Sequence, residues 1–191
     1  MKIINTKKIT KLLAILFISA LTFTACTEED HDHDDDDHDH EEELITTVKY
    51  TLTNGNDVVV LTFSDPDGEG GNDGTYNVSG PLSANKTYTG VIELLNESES
   101  PAEDVTEEVK AEGNEHEFFY TTNISRLTIE KTDEDGDGNP LGINTNVTTG
   151  IADTGTITVV LKHEPTKPND GTVAGSGGST EVDVTFNITI Q

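Results

Sequence analysis

The sequence has a single cysteine, one methionine, no tryptophan and few aromatic residues. One cysteine excludes both a disulfide framework and a thiolate metal site. The lack of tryptophan excludes a tryptophan-centred immunoglobulin core and leaves little for a sugar-stacking platform. Basic residues are scarce: eleven stand against thirty-seven acidic ones, a net charge of −26. So acidic a chain lacks the positive face that a phosphate backbone requires, which excludes nucleic acid as a partner. It also disfavours docking on anionic headgroups. No Gly-x-Ser-x-Gly elbow, HExxH pair, phosphate-binding loop or nucleophilic cysteine pattern occurs. Carboxylate pairs are too common here to mark a glycosidase. The chain is therefore expected not to be an enzyme. Long apolar runs are missing too: the longest, residues 12–23, falls short of the ~20 residues that span a bilayer.

That run has a different meaning. Lys2, Lys7, Lys8 and Lys11 precede it, and Thr24, Ala25 and Cys26 come directly after it. Positive, apolar and small residues in that order predict a signal peptide over residues 1–25. Ala25 before the lone cysteine resembles a lipobox, with Phe23 where leucine is usual. Cys26 is then the expected site of lipidation, and multiple acyl chains give a stable membrane anchor. The leader takes four of the basic residues and none of the acidic ones. The chain from Cys26 onward holds seven basic against thirty-seven acidic side chains, a net charge of −30.

Residues 27–43 contain no apolar side chain. Such a tract cannot offset its ordering entropy and is expected to be a disordered tether over 26–43. Fully extended, seventeen residues reach about 55–60 Å. An acidic spacer alone does not need histidine, yet this one holds His31, His33, His38 and His40, interleaved with Asp32, Asp34 and Asp39. Imidazole and carboxylate together suit zinc, and imidazole also suits copper and nickel. The tract therefore reads as several weak, exchanging metal sites, zinc first, as well as a solvated stalk.

The tract carries a resemblance. Cys26-Thr27-Glu28-Glu29-Asp30 looks like the acidic export signal of Bacteroidota-type surface lipoproteins. The segments Leu94-Leu95-Asn96-Glu97-Ser98-Glu99-Ser100-Pro101-Ala102-Glu103-Asp104 and Leu161-Lys162-His163-Glu164-Pro165 resemble those of uncharacterised lipoproteins with an Asp/His-rich stalk and a β domain. The resemblance implies lipid anchorage in the outer membrane, facing the cell exterior. It also implies a TonB-dependent outer-membrane transporter as partner.

Beyond residue 43 the pattern changes to short strands and turns. Strands are expected over 44–53, 57–64, 87–95, 116–122, 124–132, 156–163 and 180–190, with a weaker one over 143–148. Asn54-Gly55 reads as a hairpin turn. In the last strand, Val182, Val184, Phe186, Ile188 and Ile190 alternate with Glu181, Asp183, Thr185, Asn187 and Thr189. That pattern predicts one packed and one wet face. Ser100-Pro101-Ala102-Glu103 reads as a capping box opening a short helix over 101–111. The glycine-rich segment within 162–180 is expected to be mobile. Residues 44–191 are thus expected to form an all-β, immunoglobulin-like β-sandwich of seven or eight strands with one short helix. A closed barrel is the alternative.

Two further patterns could hold a cation. Asp133, Asp135, Asp137 and Asn139 place oxygens at alternate positions, with Gly138 at the sixth, like the first half of a calcium loop. The twelfth position is Asn144 and the flanks are strands, so this is no EF-hand. Asp65-Pro66-Asp67-Gly68-Glu69 is a weaker version. Both also suit ordinary solvated turns. His116 begins one expected strand and His163 ends another, each beside glutamate (Glu115, Glu117 and Glu164). If those strand ends meet, two imidazoles and a carboxylate make a structured zinc site; otherwise they are separate surface histidines. The sequence leaves two functions open. One is a surface lipoprotein that binds zinc near a transporter. The other is an adhesive β-sandwich, contacting a surface protein or glycan, with calcium-stiffened loops.

Overall fold

Alternation of apolar and polar residues sets the architecture. The computed structural model describes residues 43–68 and 71–191. Cys26, His31, Asp32, His33, Asp34, His38, Asp39 and His40 lie outside the described residues. Strand β1 (Thr47–Asn54) turns Val48, Tyr50 and Leu52 inward and pairs antiparallel with β2 (Asp57–Ser64), from Thr47 opposite Ser64 to Asn54 opposite Asp57. Gly55 and Asn56 therefore form the connection, one residue later than the Asn54-Gly55 expectation. Gly55 adopts the positive φ of 61° that the turn requires.

The larger sheet runs β3 (Thr75–Val78), β2, β1, β4 (Thr87–Asn96), β8 (Asn144–Thr148), β7 (Thr128–Lys131), with β5 (Glu103–Asp104) also paired to β4. The smaller sheet runs β10 (Ser179–Ile190), β9 (Asp153–His163), β6 (His116–Thr122). All strand pairs are antiparallel. The inner faces of the two sheets share one apolar core. Val48, Tyr50, Leu52, Tyr88, Ile92 and Leu94 come from the larger sheet; Phe118, Ile157, Val159, Leu161, Val184 and Phe186 come from the smaller. This is the expected all-β sandwich. Gly90 is required inside it. A Cβ there would lie 2.3 Å from Thr145 Oγ1 and 2.7 Å from the Tyr50 ring, displacing the buried Tyr50–Thr145 hydroxyl hydrogen bond of 2.6 Å.

Several local expectations shift. The helix is α1 (Thr106–Ala111), shorter than 101–111. Glu103 and Asp104 pair with Asn96 and Leu95 instead, which takes the expected capping turn into the sheet. Asp104 Oδ1 still accepts from Thr106 N at 3.0 Å. The strand expected over 124–132 is reduced to β7, because residues 125–126 turn and Arg126 has φ 101°. The segment between β9 and β10 carries a one-turn helix, α2 (Val173–Ser176), capped by Thr172 Oγ1 accepting from Gly175 N. Among the described residues, no helix is long and apolar enough to cross a membrane.

Candidate metal centre

The two histidines of the domain meet. His116 is the first residue of β6 and His163 the last of β9, and they are register partners. Both side chains sit on the core face, His116 fully buried and His163 nearly so. Their rings stack with centroids 4.8 Å apart and 10° between planes.

The third contributor is Glu181. In β10, Thr180 pairs with Lys162 and Val182 with Leu161, so Glu181 is the extra residue of a β-bulge. A bulge breaks alternation and re-aims one side chain. Glu181 therefore leaves the wet face assigned by the sequence pattern, and its side chain is only 2% exposed. The fourth contributor is Glu43, which the sequence pattern places at the end of the tether. Its side chain is 5% exposed.

The geometry is compact. Glu43 Oε1 lies 3.1 Å and Glu181 Oε2 3.5 Å from His116 Nε2, and Glu181 Oε1 lies 3.3 Å from His163 Nδ1. One ligand atom from each of the four residues lies within 4.8 Å of all the others. A tetrahedron with arms of ~2.0–2.2 Å has edges of about 3.3–3.6 Å. The three spacings of 3.1–3.5 Å are close to such an edge, and the four groups together lie within 4.8 Å of one another. They are not aligned hydrogen bonds: His116 Nε2, Glu43 Oε2 and both Glu181 oxygens are buried with no hydrogen-bond partner.

The Nδ1 of His116 lies 3.2 Å from Glu112 O. A carbonyl only accepts, so Nδ1 donates in this contact, and Nε2 is directed at the carboxylates of Glu43 and Glu181. On the other side, His163 Nε2 faces Glu115 Oε2 at 3.9 Å. Lys167 Nζ donates to the carbonyls of Gly113 and His116, at 2.6 and 2.5 Å, pinning the start of β6. Gly178 is needed at the far wall. It has φ 66°, and a Cβ there would lie 2.2 Å from His163 O.

The ionisable groups of the cluster shift one another. Burial pushes Glu181 up, and the neighbouring Glu43 adds to the push. Burial also pushes Glu43 up, but the Glu181 carboxyl against it and the charge of His116 hold it below its ordinary value. Burial would lower His116, yet Glu181 and Glu43 raise it. Two adjacent buried carboxylates cannot both ionise at ease. A dication held by two neutral imidazoles and two carboxylates leaves no net charge in the interior.

The other sequence-predicted residues are placed differently. Glu117, beside His116, pairs with Lys131 Nζ at 2.5 Å and accepts from Asn169 Nδ2 at 2.6 Å. In the acidic loop, Asp135 Oδ1 accepts from the N–H groups of Asp137 and Asn139 and Oδ2 meets Lys167 Nζ at 3.0 Å. Asp133 accepts from Gly142 N and Asn144 N. Burial would raise Asp135, but Asn139 N–H and Lys167 hold its carboxyl at about 2. Hydrogen bonds and a lysine thus engage Asp133 and Asp135 in this loop. Among the described residues, the His116 cluster is the one place where three or more histidine or carboxylate side chains converge closely enough to hold an ion.

The chain matches no protein-family model, no curated protein and no solved structure. The functional reading therefore rests on the site itself. Sequence reasoning found His116 and His163 from their places at strand ends, and it missed Glu43 and Glu181. A bulge has no simple sequence signature, and Glu43 ends an unbroken acidic run that hides it.

Proposed function

We propose that this protein is a binding module for a divalent transition metal, zinc foremost, held by Glu43, His116, His163 and Glu181. The observation that carries this reading is the convergence of four buried ligand atoms, with His116 Nε2 and the Glu181 oxygens left without hydrogen bonds. Two imidazoles disfavour calcium and magnesium, which take oxygen ligands. Four-coordinate N and O ligation suits zinc. Four protein ligands make a closed site that retains its ion, so the role is holding metal rather than exposing it to substrate.

The wider setting belongs to the same proposal. The leader, Cys26 and the acidic residues after it support a lipid-anchored protein on the outer face of the outer membrane. There it serves as accessory to a metal transporter, with the His-rich tract as a second, weaker collecting region. Calorimetric titration of zinc into the full chain and into a variant carrying His116→Asn and His163→Asn tests it. The reading expects one tight equivalent that the variant lacks. Equal tight binding by both proteins would contradict it.

A further inference from the structure

Among the described residues, the smaller sheet ends on β10, which is paired along its length on one side alone, to β9. Its C-terminal end shows which backbone groups face the other side. Thr189 O accepts from Leu82 N–H and Gln191 N–H donates to Leu82 O, both at 2.9 Å, where Leu82 and Ile190 form a bridge. Residues 189 and 191 thus turn backbone groups away from β9. Pairing with β9 is regular from Val182 to Ile190. The period of two therefore turns Asp183, Thr185 and Asn187 outward as well. Among the described residues, the backbone N–H and C=O groups of these three have no hydrogen-bond partner.

A cleft of about 590 Å³ runs along this edge, and Thr180, Glu181, Val182, Asp183 and Val184 all line it. A strand that borders a cavity by its face contributes alternate residues, whereas one that borders it by its edge contributes consecutive ones. The cleft therefore opens onto the hydrogen-bonding edge of β10. Val48 and Phe63 of the larger sheet line it from the other side. Glu43, Asp65, Glu181 and Asp183 bring four carboxylates, and no basic side chain lines it among the described residues. Asp65 Oδ1 and both Glu181 oxygens are buried without a hydrogen-bond partner, and the Glu181 side chain is 2% exposed. An ion at the centre described above engages Glu43 and Glu181 and leaves Asp65 and Asp183 to keep the cleft negative.

An open edge invites a further strand, and charge along it repels copies of the same chain. A second copy would bring the same carboxylates and a net charge of −26 to meet them. An acidic edge still accepts a strand of opposite charge. We propose that β10 and its cleft dock an extended segment of a partner protein in which lysine or arginine alternates with apolar residues. The segment adds to the smaller sheet as a fourth strand. About five residues of it, ~17 Å long, span Asp183 to Asn187. Main-chain hydrogen bonds to the three outward residues supply affinity, and alternate side chains supply specificity. The apolar ones enter the cleft toward Val48 and Phe63, and the basic ones lie beside Asp183 on the wet face.

The test is amide exchange, read by NMR, on the full chain with the peptide acetyl-Lys-Val-Lys-Val-Lys-Val-Lys-amide. Salt at about 0.15 M screens long-range attraction, and a chelator keeps ions from Glu43 and Glu181. The peptide should slow exchange at Asp183, Thr185 and Asn187 about tenfold or more. An analogue with every backbone nitrogen methylated has the same charge but cannot donate, and should bind about tenfold more weakly or worse. Asp183→Lys, at an exposed position, should lower affinity for the parent peptide about fivefold. Equal binding by the methylated analogue would reduce the attraction to charge and overturn the inference. So would a bound peptide that leaves those three amides exchanging as before, or a peptide that does not bind.

Discussion

His116 and His163 face each other across adjacent antiparallel strands, their rings stacked 4.8 Å apart. Two imidazolium charges at that separation repel. Neutral imidazoles are what a metal requires. The bulge at Glu181 and the segment carrying Glu43 complete the arrangement with negative charge.

Losing either histidine should therefore weaken zinc binding steeply. His116→Asn or His163→Asn alone should cost on the order of a hundredfold or more in affinity, measured by competition with a chelator of known strength. Glu112→Ala should change affinity little, because Glu112 holds His116 through its backbone carbonyl and not its side chain.

The bulge makes a sharper prediction. Removing Glu181 outright restores regular pairing between β9 and β10, because Thr180–Lys162 and Val182–Leu161 already flank it. The downstream alternation through Ile190 is untouched. The deletion variant should fold, with far-ultraviolet circular dichroism like the parent, and lose the tight zinc site. Loss of folding would show instead that the bulge is a requirement of the sandwich.

Metal binding should also appear as stability. An ion that binds only the folded chain, at a thousand times its dissociation constant, contributes about 4 kcal/mol. For a domain of this size that raises Tm by roughly 8–16 °C, at ~2–4 °C per kcal/mol. Differential scanning calorimetry with zinc and then with excess chelator should show the rise and its reversal. The H116N/H163N variant should show neither.

The acidic loop should respond to acid and not to metal. Asp135 is held at about 2 against an ordinary 3.8. Its contribution is fully present above about pH 4–5 and is lost as pH falls through 2. Asp135→Asn should cost about 2 kcal/mol near neutrality, since it weakens hydrogen bonds to a charged group and strands Lys167. In chemical denaturation the gap between the two proteins should narrow as pH drops from 4 toward 2. The cost should be the same with or without calcium.

The strands were legible where one face is buried and one is wet, as in β10 and β1. Strand β3 escaped notice because its four residues are exposed or half-buried at a sheet edge and come after a glycine-rich loop. The helix was displaced because pairing of Glu103–Asp104 with β4 outweighed a local capping preference. The histidines were visible because only two lie beyond the acidic tract. Their carboxylate partners were not, because sequence adjacency pointed to Glu115, Glu117 and Glu164. A bulge and an incoming chain segment supplied Glu181 and Glu43 from far along the chain.

The most direct test of the buried centre is zinc-edge X-ray absorption on the full chain with His31, His33, His38 and His40 replaced by Asn and one equivalent of zinc added. The account predicts four nitrogen and oxygen ligands at about 2.0–2.1 Å with outer-shell scattering from two imidazoles. A shell of six oxygens with no imidazole scattering would contradict it.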